Sequence, residues 1–306
     1  MKQRAAALSV FSNTALVALK VLAWVFTGSV SILSEALHSG TDLMASLIAY
    51  FSVKKAEKPP DEAHPFGHGK LENLSGLIEG VLVLVAALLV IWHAVERLLS
   101  KALPEMAYLG FSVMLFGAVV NLLVSRYLFR VAQETDSMAL KADALHLSVD
   151  VYTSAGVTVG LFVLAVTGWT WVDPVIAIAV SVIILYEGAK LTYDALQTLL
   201  DRALPEDERK LIEEVIQKHS DMIKDYHDLR TRKAGPYRYV DLHLTVCQNQ
   251  DMATVHRTMD SIEESIKEAL PNTDVVIHPE PCSHHNNNCP KECYWLRLRH
   301  QGGSRE

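Results

Sequence analysis

Two pairs of histidine and aspartate share one spacing in two separate apolar stretches of the sequence. His38 precedes Asp42 by four residues, and His146 precedes Asp150 by four residues. Residues four apart lie one turn apart on the same face of an α-helix, so each pair directs an imidazole and a carboxylate the same way. Two imidazoles and two carboxylates form a good tetrahedral ligand set for Zn²⁺. If the two helices face each other, the sequence predicts one metal site between them.

These pairs lie in the part of the chain that is poor in charge. Residues 1–200 contain 29 Asp, Glu, Lys and Arg side chains, whereas residues 201–306 contain 34. A membrane span needs about 20 mainly apolar residues to cross about 30 Å of hydrocarbon. We therefore predict a transmembrane domain over residues 1–200 with six helices, at Ala5–Thr27, Val30–Val53, Leu71–His93, Met106–Phe129, Leu145–Thr167 and Val172–Leu196.

Charged side chains inside two of these spans call for an explanation. A carboxylate near the bilayer centre is costly unless it faces a partner or a water-filled cavity. Each pair could instead brace its own helix, or its histidine could be satisfied in the core. The same spacing on two separate spans favours metal binding over these alternatives. Because protons compete with metal for both ligand types, the site would also suit exchange of metal for protons.

The distribution of basic residues predicts the orientation of the helices. Two basic residues, Arg97 and Lys101, flank the predicted spans on one side. Nine flank them on the other side: Lys2, Arg4, Lys54, Lys55, Lys58, Lys70, Arg126, Arg130 and Lys141. The positive-inside rule then puts both termini in the cytosol, and we expect a multi-pass protein of the inner (plasma) membrane. The net charge of −7 gives no sign of nucleic-acid binding, which needs a clustered basic face.

The second part of the chain reads as a small soluble domain over residues 201–282. Its periodicity predicts the order αββαβ, and hence an α+β sheet domain, from Glu206–His219, Asp228–Thr231, Tyr239–Val246, Ala253–Leu270 and Asp274–His278. Residues 283–306 read as a tail. The soft metal ligands in and beside it are Cys282, His284, His285, Cys289 and Cys293. They could hold zinc or copper(I), and a flexible reduced tail is an equal alternative.

Four stretches carry a likeness to a known family. They are Ser34–Asp42 with the sequence SEALHSGTD, His64–Lys70 with HPFGHGK, Leu200–Pro205 with LDRALP, and His227–Arg232 with HDLRTR. Over nearly the whole chain, the sequence resembles the cation diffusion facilitator family, and it looks most similar to bacterial exporters of zinc and ferrous iron. The resemblance implies a homodimer with six transmembrane helices per protomer, a cytosolic ferredoxin-like domain and no enzymatic activity. It maps the transport site to His38, Asp42, His146 and Asp150, and His38 resembles the zinc-selective branch.

The resemblance implies further sites outside the membrane. A loop site would use Asp61, His64 and His68. Metals in the cytosolic domain would use His227, His243, His256, His278 and Glu280, where Glu280 stands in place of an aspartate. Lys70 and Asp201 would form a charge interlock at the dimer junction. Without the resemblance, the loop histidines would ordinarily be solvated, and the histidines of the domain would ordinarily be satisfied by structural hydrogen bonds. Lys70 and Asp201 would ordinarily be a solvated surface pair.

The expected function is secondary transport of Zn²⁺ out of the cytosol in exchange for protons, with zinc both substrate and regulator. Cd²⁺, Co²⁺ or Fe²⁺ are alternative substrates. A membrane metal sensor or scaffold that does not transport, and a passive channel, are alternative functions. An intramembrane zinc protease would need a His-Glu-x-x-His run, which the sequence lacks.

Overall fold

A computed structural model describes residues 1–27, 30–100, 108–167, 169 and 171–282. The chain forms two compact units, Met1–Leu199 and Leu200–Glu306. The predicted tail ligands His284, His285, Cys289 and Cys293 lie outside the described residues.

The first unit is a bundle of six long helices. They are α1 (Lys2–Thr27), α2 (Val30–Ala56), α3 (Lys70–Ser100), α4 (Tyr108–Thr135), α5 (Met138–Thr167) and α6 (Val172–Leu199). Within the described residues, four of them are long and apolar enough to cross a membrane: α1, α3, α4 and α6. The other two, α2 and α5, carry the histidine and aspartate pairs.

The surface of this bundle is apolar while its interior holds polar side chains. Along α3, for example, large apolar side chains are exposed at Leu82, Val85, Leu89 and Trp92. The polar residues buried in the interior include Ser9, Asn13, Glu72, Asn73, Glu79, Asn121, Asp143 and His146. This reversal of the usual arrangement is expected of helices solvated by lipid.

Helix α5 begins at Met138, seven residues before the predicted start at Leu145. Ser137 caps it, because its hydroxyl accepts a hydrogen bond from the backbone N–H of Leu140 at 3.4 Å. The same hydroxyl donates to the buried carboxylate of Glu72, which also pairs with Lys2 at 2.8 Å. Glu72 thus links the starts of α1, α3 and α5. The charged residues Lys141 and Asp143 concealed this first stretch of helix in the sequence.

Two glycines let α3 and α6 approach each other closely. A Cβ atom added at Gly80 would lie 2.5 Å from the Thr192 hydroxyl and 3.2 Å from its backbone nitrogen. A Cβ atom at Gly188 would lie 2.9 Å from a methyl group of Val83. A side chain at either position would force its neighbours to shift.

The second unit is a small α+β domain, as predicted. Its elements are α7 (Glu206–Lys218), β1 (Asp225–Ala234), β2 (Tyr237–Val246), α8 (Met252–Ala269) and β3 (Thr273–Pro281). The three-stranded sheet has the order β1-β2-β3, with β1 antiparallel and β3 parallel to β2. Alternate residues of β2 pack against α7 and α8 in the core of this unit. The core includes Val240, Leu242, Leu244, Ile212, Ile216, Ile262 and Ile266. The intervening residues of β2, among them His243, lie on the opposite face of the sheet.

Candidate metal centre

Helices α2 and α5 meet at the two histidine–aspartate pairs, and the side chains pair across the helices. His38 Nε2 of α2 lies 3.5 Å from Asp150 Oδ1 of α5. His146 Nε2 of α5 lies 3.2 Å from Asp42 Oδ1 of α2. The ligand atoms of His38, Asp42 and Asp150 all lie within 4.8 Å of one another. The structure therefore groups three of the predicted ligands and places the fourth, His146, against one of them, Asp42.

These separations are suitable for a single small cation. Donors bound at about 2.1 Å to a tetrahedral Zn²⁺ are about 3.4 Å from one another. The two cross-helix distances, 3.5 and 3.2 Å, bracket that value. The four donors could therefore surround one ion with small side-chain movements.

Burial around the four side chains is uneven. Asp42 is only 3% exposed and His146 is 9% exposed, whereas the His38 side chain is 54% exposed. The Nδ1 atom of His146 is buried without a hydrogen-bond partner in the described part of the chain. The centre is thus enclosed on the side of Asp42 and His146 and open on the side of His38.

Amide side chains from two other helices support the centre. Asn121 of α4 donates to Asp150 Oδ2 at 3.0 Å. Asn13 of α1 donates to the backbone carbonyl of Asp42 at a longer 3.5 Å. The sequence did not identify either residue as part of the centre, because a lone asparagine in an apolar stretch does not reveal its partner. Asn121 holds one carboxylate oxygen while the other faces the imidazole, which is how outer groups orient metal ligands.

The loop between α2 and α3 brings its three predicted ligands together. Asp61 Oδ1 lies 3.3 Å from His64 Nδ1, and Asp61 Oδ2 lies 3.4 Å from His68 Nε2. All three ligand atoms fall within 4.8 Å of one another. The hydrogen bond from the backbone N–H of His64 holds the pKa of the Asp61 carboxyl below its ordinary value of 3.8, and the side chains of His64 and His68 add to this effect. A carboxylate that stays ionised beside two imidazoles could bind a divalent cation.

Strand pairing aligns three of the predicted histidines in the second unit. His227 on β1 pairs with His243 on β2, which pairs with His278 on β3. Neighbouring ring centroids are 5.3 and 4.9 Å apart. Glu280 Oε1 lies 3.0 Å from His243 Nδ1, and Glu280 Oε2 lies 3.3 Å from His227 Nε2. Four of the five predicted ligands thus share the face of the sheet opposite the core.

Two residues of this region differ from the sequence-based assignment. His256 lies on α8, is exposed and pairs with Asp260 at 3.5 Å, so within one protomer it is not part of this row. Asp228, which was not predicted, places a carboxylate oxygen within 4.8 Å of ligand atoms of His227 and His243. Its positive φ of 51° falls at an irregularity in the pairing of β1 with β2. Its only signal in the sequence was its position directly after His227.

The remaining predicted residues have local partners. Lys70 begins α3 and donates to the backbone carbonyl of Leu199 at 3.4 Å. Asp201 pairs with Arg232 at 3.5 Å within the second unit. Cys282 is buried at the end of β3, where its backbone N–H donates to the carbonyl of Val246 at 2.9 Å, so its thiol belongs to the folded domain and not to the tail.

Comparisons with known proteins identify both units of the chain. The sequence model of the cation efflux transmembrane domain matches residues 6–200, and that of the cytoplasmic domain of cation efflux proteins matches residues 204–282. The uncharacterized transporter sll1263 of Synechocystis is 36% identical, over 90% of this chain and 89% of its own length. The cation-efflux pump FieF of Cronobacter sakazakii is 35% identical, over 92% of this chain and 93% of its own.

Among solved structures, the zinc form of CzrB is 33% identical and aligns with 26% of this chain and 92% of its own, at a TM-score of 0.26.

The first unit is a membrane-spanning helical domain, and the second is matched by a family of dimerising cytoplasmic domains. The chain belongs to the cation diffusion facilitator family of membrane transporters, which move metal cations and are not enzymes.

Proposed function

We propose that this protein exports Zn²⁺ from the cytosol in exchange for protons. The observation that carries the proposal is the cross-helix pairing of His38 with Asp150 and of His146 with Asp42. Two carboxylates neutralise a divalent ion, which lowers the cost of holding it in a bilayer. Two imidazoles supply nitrogen donors at the spacing that a tetrahedral ion needs.

The donor set supports zinc as the main substrate. Fe²⁺ and Mn²⁺ prefer harder, oxygen-rich sites, whereas zinc accepts both imidazole and carboxylate ligands. The clusters Asp61, His64 and His68 and His227, Asp228 and His243 also combine nitrogen with oxygen donors. Cd²⁺ and Co²⁺ accept the same ligand types and are the competing substrates.

Proton exchange follows from the same ligands. Metal binding requires neutral imidazole and ionised carboxylate, so protons and metal compete for the centre. A centre that faces the two sides of the membrane in turn loads metal where protons are scarce and releases it where protons are abundant. In this proposal protons move into the cell as zinc leaves it.

The proposed topology has six spans in the inner membrane with both termini in the cytosol. Helices α2 and α5 cross the membrane along with the four more apolar helices, because their charged residues face the metal centre. The domains are residues 1–200 for transport, residues 201–282 for dimerisation and metal binding with a ferredoxin-like fold, and residues 283–306 as a tail. The positive-inside distribution of Lys and Arg supports this orientation.

The other clusters take supporting roles in the proposal. Asp61, His64 and His68 receive metal near the cytosolic entrance. The row of histidines binds metal together with Glu280, and His256 joins this site in the dimer. The site links the cytosolic metal level to the geometry of the dimer. This link requires metal to bind one arrangement of the dimer better than another. Lys70 and Asp201 form the charge interlock at the dimer junction.

Uptake of divalent metals into proteoliposomes tests the proposal. Zn²⁺, Cd²⁺, Co²⁺ and Fe²⁺ are compared with and without a pH gradient, for the wild type and for Asp42→Ala. We expect zinc uptake that rises with an acidic interior and is lost in Asp42→Ala. Uptake that ignores the gradient would refute antiport, and equal uptake by the variant would refute the metal centre.

A second variant separates a transporter from a sensor. Asp150→Ala should abolish transport while zinc binding by the second unit persists. Transport that survives this substitution would assign the membrane centre a different role.

A further inference from the structure

A second pair of carboxylates is buried in the first unit, separate from the metal centre. Glu79 of α3 and Asp143 of α5 are both fully buried, with 0% exposure. Glu79 Oε1 accepts a hydrogen bond from the Ser75 hydroxyl at 2.8 Å. Glu79 Oε2 and both oxygens of Asp143 have no hydrogen-bond partner among the described residues. The proposed transport site uses neither side chain.

Close packing of α3 against the start of α5 brings the two carboxylates together. Gly76 makes this approach possible, because a Cβ atom there would lie 2.7 Å from the side chain of Met138. Glu79 follows Gly76 by about 4.5 Å along α3, and Asp143 follows Met138 by about 7.5 Å along α5, at 1.5 Å per residue. The charge of Asp143 acts directly on Glu79. The two acidic groups therefore face a common space between the helices.

A third helix adds an oxygen to this space. Ser9 of α1 is fully buried, and its hydroxyl has no hydrogen-bond partner among the described residues. It lies close enough to Asp143 to act on that carboxyl group. Together with the Ser75 hydroxyl on Glu79, it makes the surroundings of the pair rich in oxygen.

The pair has no cationic side-chain partner among the described residues other than a histidine. Across the described ranges, no Lys or Arg forms an ion pair with Glu79 or Asp143. The one basic side chain acting on Asp143 is His146, three residues away and already facing Asp42. Two adjacent carboxylates in a bilayer are too costly without a compensating charge. Carboxylate and hydroxyl oxygens are the donors that hard divalent cations select.

We propose that Glu79 and Asp143 hold a divalent cation at an internal site of their own, with the hydroxyls of Ser9 and Ser75 as additional oxygen donors. Asp143 precedes His146 by three residues, so this site lies about 4.5 Å nearer to the start of α5 than the metal centre does. Given the proposed orientation, that is the cytosolic side, and a cation would pass through this site before it reaches His146. This last step rests on the proposed function; the binding itself does not.

Binding of Mn²⁺, a cation that prefers oxygen donors, tests the site. The number of Mn²⁺ ions bound per protomer is measured by equilibrium dialysis and electron paramagnetic resonance on the purified full-length protein. All variants carry Asp42→Ala and Asp150→Ala, so that the transport centre does not contribute. We expect Glu79→Gln and Asp143→Asn each to lower the count by one ion per protomer. Glu134→Gln, which alters an exposed carboxylate at the end of α4, should leave the count unchanged.

A milder substitution keeps the test informative if removal of a carboxylate prevents folding. Ser75→Ala keeps both carboxylates and should weaken Mn²⁺ binding at this site by about 2- to 10-fold, as expected for the loss of one hydrogen-bonding oxygen. An unchanged count in both carboxylate variants, or an unchanged affinity in Ser75→Ala if those variants do not fold, would overturn the proposal. The pair would then hold protons alone. Because the transport centre is absent throughout, such a result would leave the proposed zinc export untouched.

Discussion

The hydrogen bond from Asn121 to Asp150 allows a graded test of the metal centre. Asn121 holds Asp150 Oδ2 at 3.0 Å while Oδ1 faces His38 at 3.5 Å. Replacement of Asn121 by Ala frees the carboxylate to rotate away from the ion. A hydrogen bond to a charged group contributes about 1.5–3 kcal/mol, and 1.4 kcal/mol corresponds to a factor of about ten. Asn121→Ala should therefore weaken zinc binding at the centre by about 10- to 100-fold, the range known for outer groups of metal sites.

Zinc uptake by proteoliposomes, measured over a range of zinc concentrations, checks this expectation through the KM. Asn13→Ala is the matched control, since Asn13 reaches only the backbone of Asp42, at 3.5 Å. It should change the KM by less than about threefold, because a bond of that length is weak. Asn121→Asp should be more damaging than Asn121→Ala, because it puts a like charge against Asp150. Equal effects of Asn121→Ala and Asn13→Ala would refute the reasoning.

Three further changes probe the substrate preference and the second unit. His38→Asp replaces a nitrogen donor by an oxygen donor and should shift the preference in uptake assays from Zn²⁺ towards Fe²⁺ and Mn²⁺; an unchanged order would show that His38 does not contact the ion. Ile262→Ala removes a fully buried side chain and should destabilise the second unit by about 2–5 kcal/mol, measured by hydrogen–deuterium exchange of its core strands in the full-length protein. Asp251 caps α8 by accepting from Thr254, whose hydroxyl and backbone N–H hold the pKa of the Asp251 carboxyl below 3.8. A lowered pKa stabilises the fold above the unfolded-state pKa and ceases to do so as pH falls through the folded-state pKa. Asp251→Ala should accordingly speed hydrogen–deuterium exchange in α8 at neutral pH. In strong acid, the exchange rates of the variant and the wild type, corrected for the intrinsic rate, should become equal.

The sequence predicted which helices meet at the metal centre but not how their side chains pair. The repeated spacing indicated that α2 and α5 each present an imidazole and a carboxylate on one face. Residues one turn apart could equally pair within their own helix, whereas the structure pairs His38 with Asp150 and His146 with Asp42. Helix rotation and depth decide between these arrangements, and both depend on packing that a single helix does not encode.

Residues with a role set by distant partners were the hardest to predict. Asn121 lies 29 positions from Asp150 in the sequence, and no local pattern joins them. Helix α5 begins seven residues before the predicted membrane span, because Lys141 and Asp143 interrupt the apolar run although they are helical. The alternation in β2 was more informative. Leu242, Leu244 and Val246 share one buried face, since a sheet covered by helices on one side leaves a clear period of two.

The glycine contacts between α3 and α6 restrict how the bundle can change shape. At Gly80 the two helices pack closely, so we expect α3 and α6 to move together. In the proposed exchange cycle, the movement that turns the candidate metal centre from one side of the membrane to the other would then take place at looser contacts. A disulfide joining α3 to α6 should therefore leave turnover intact, whereas a disulfide joining α3 to α2 should arrest it.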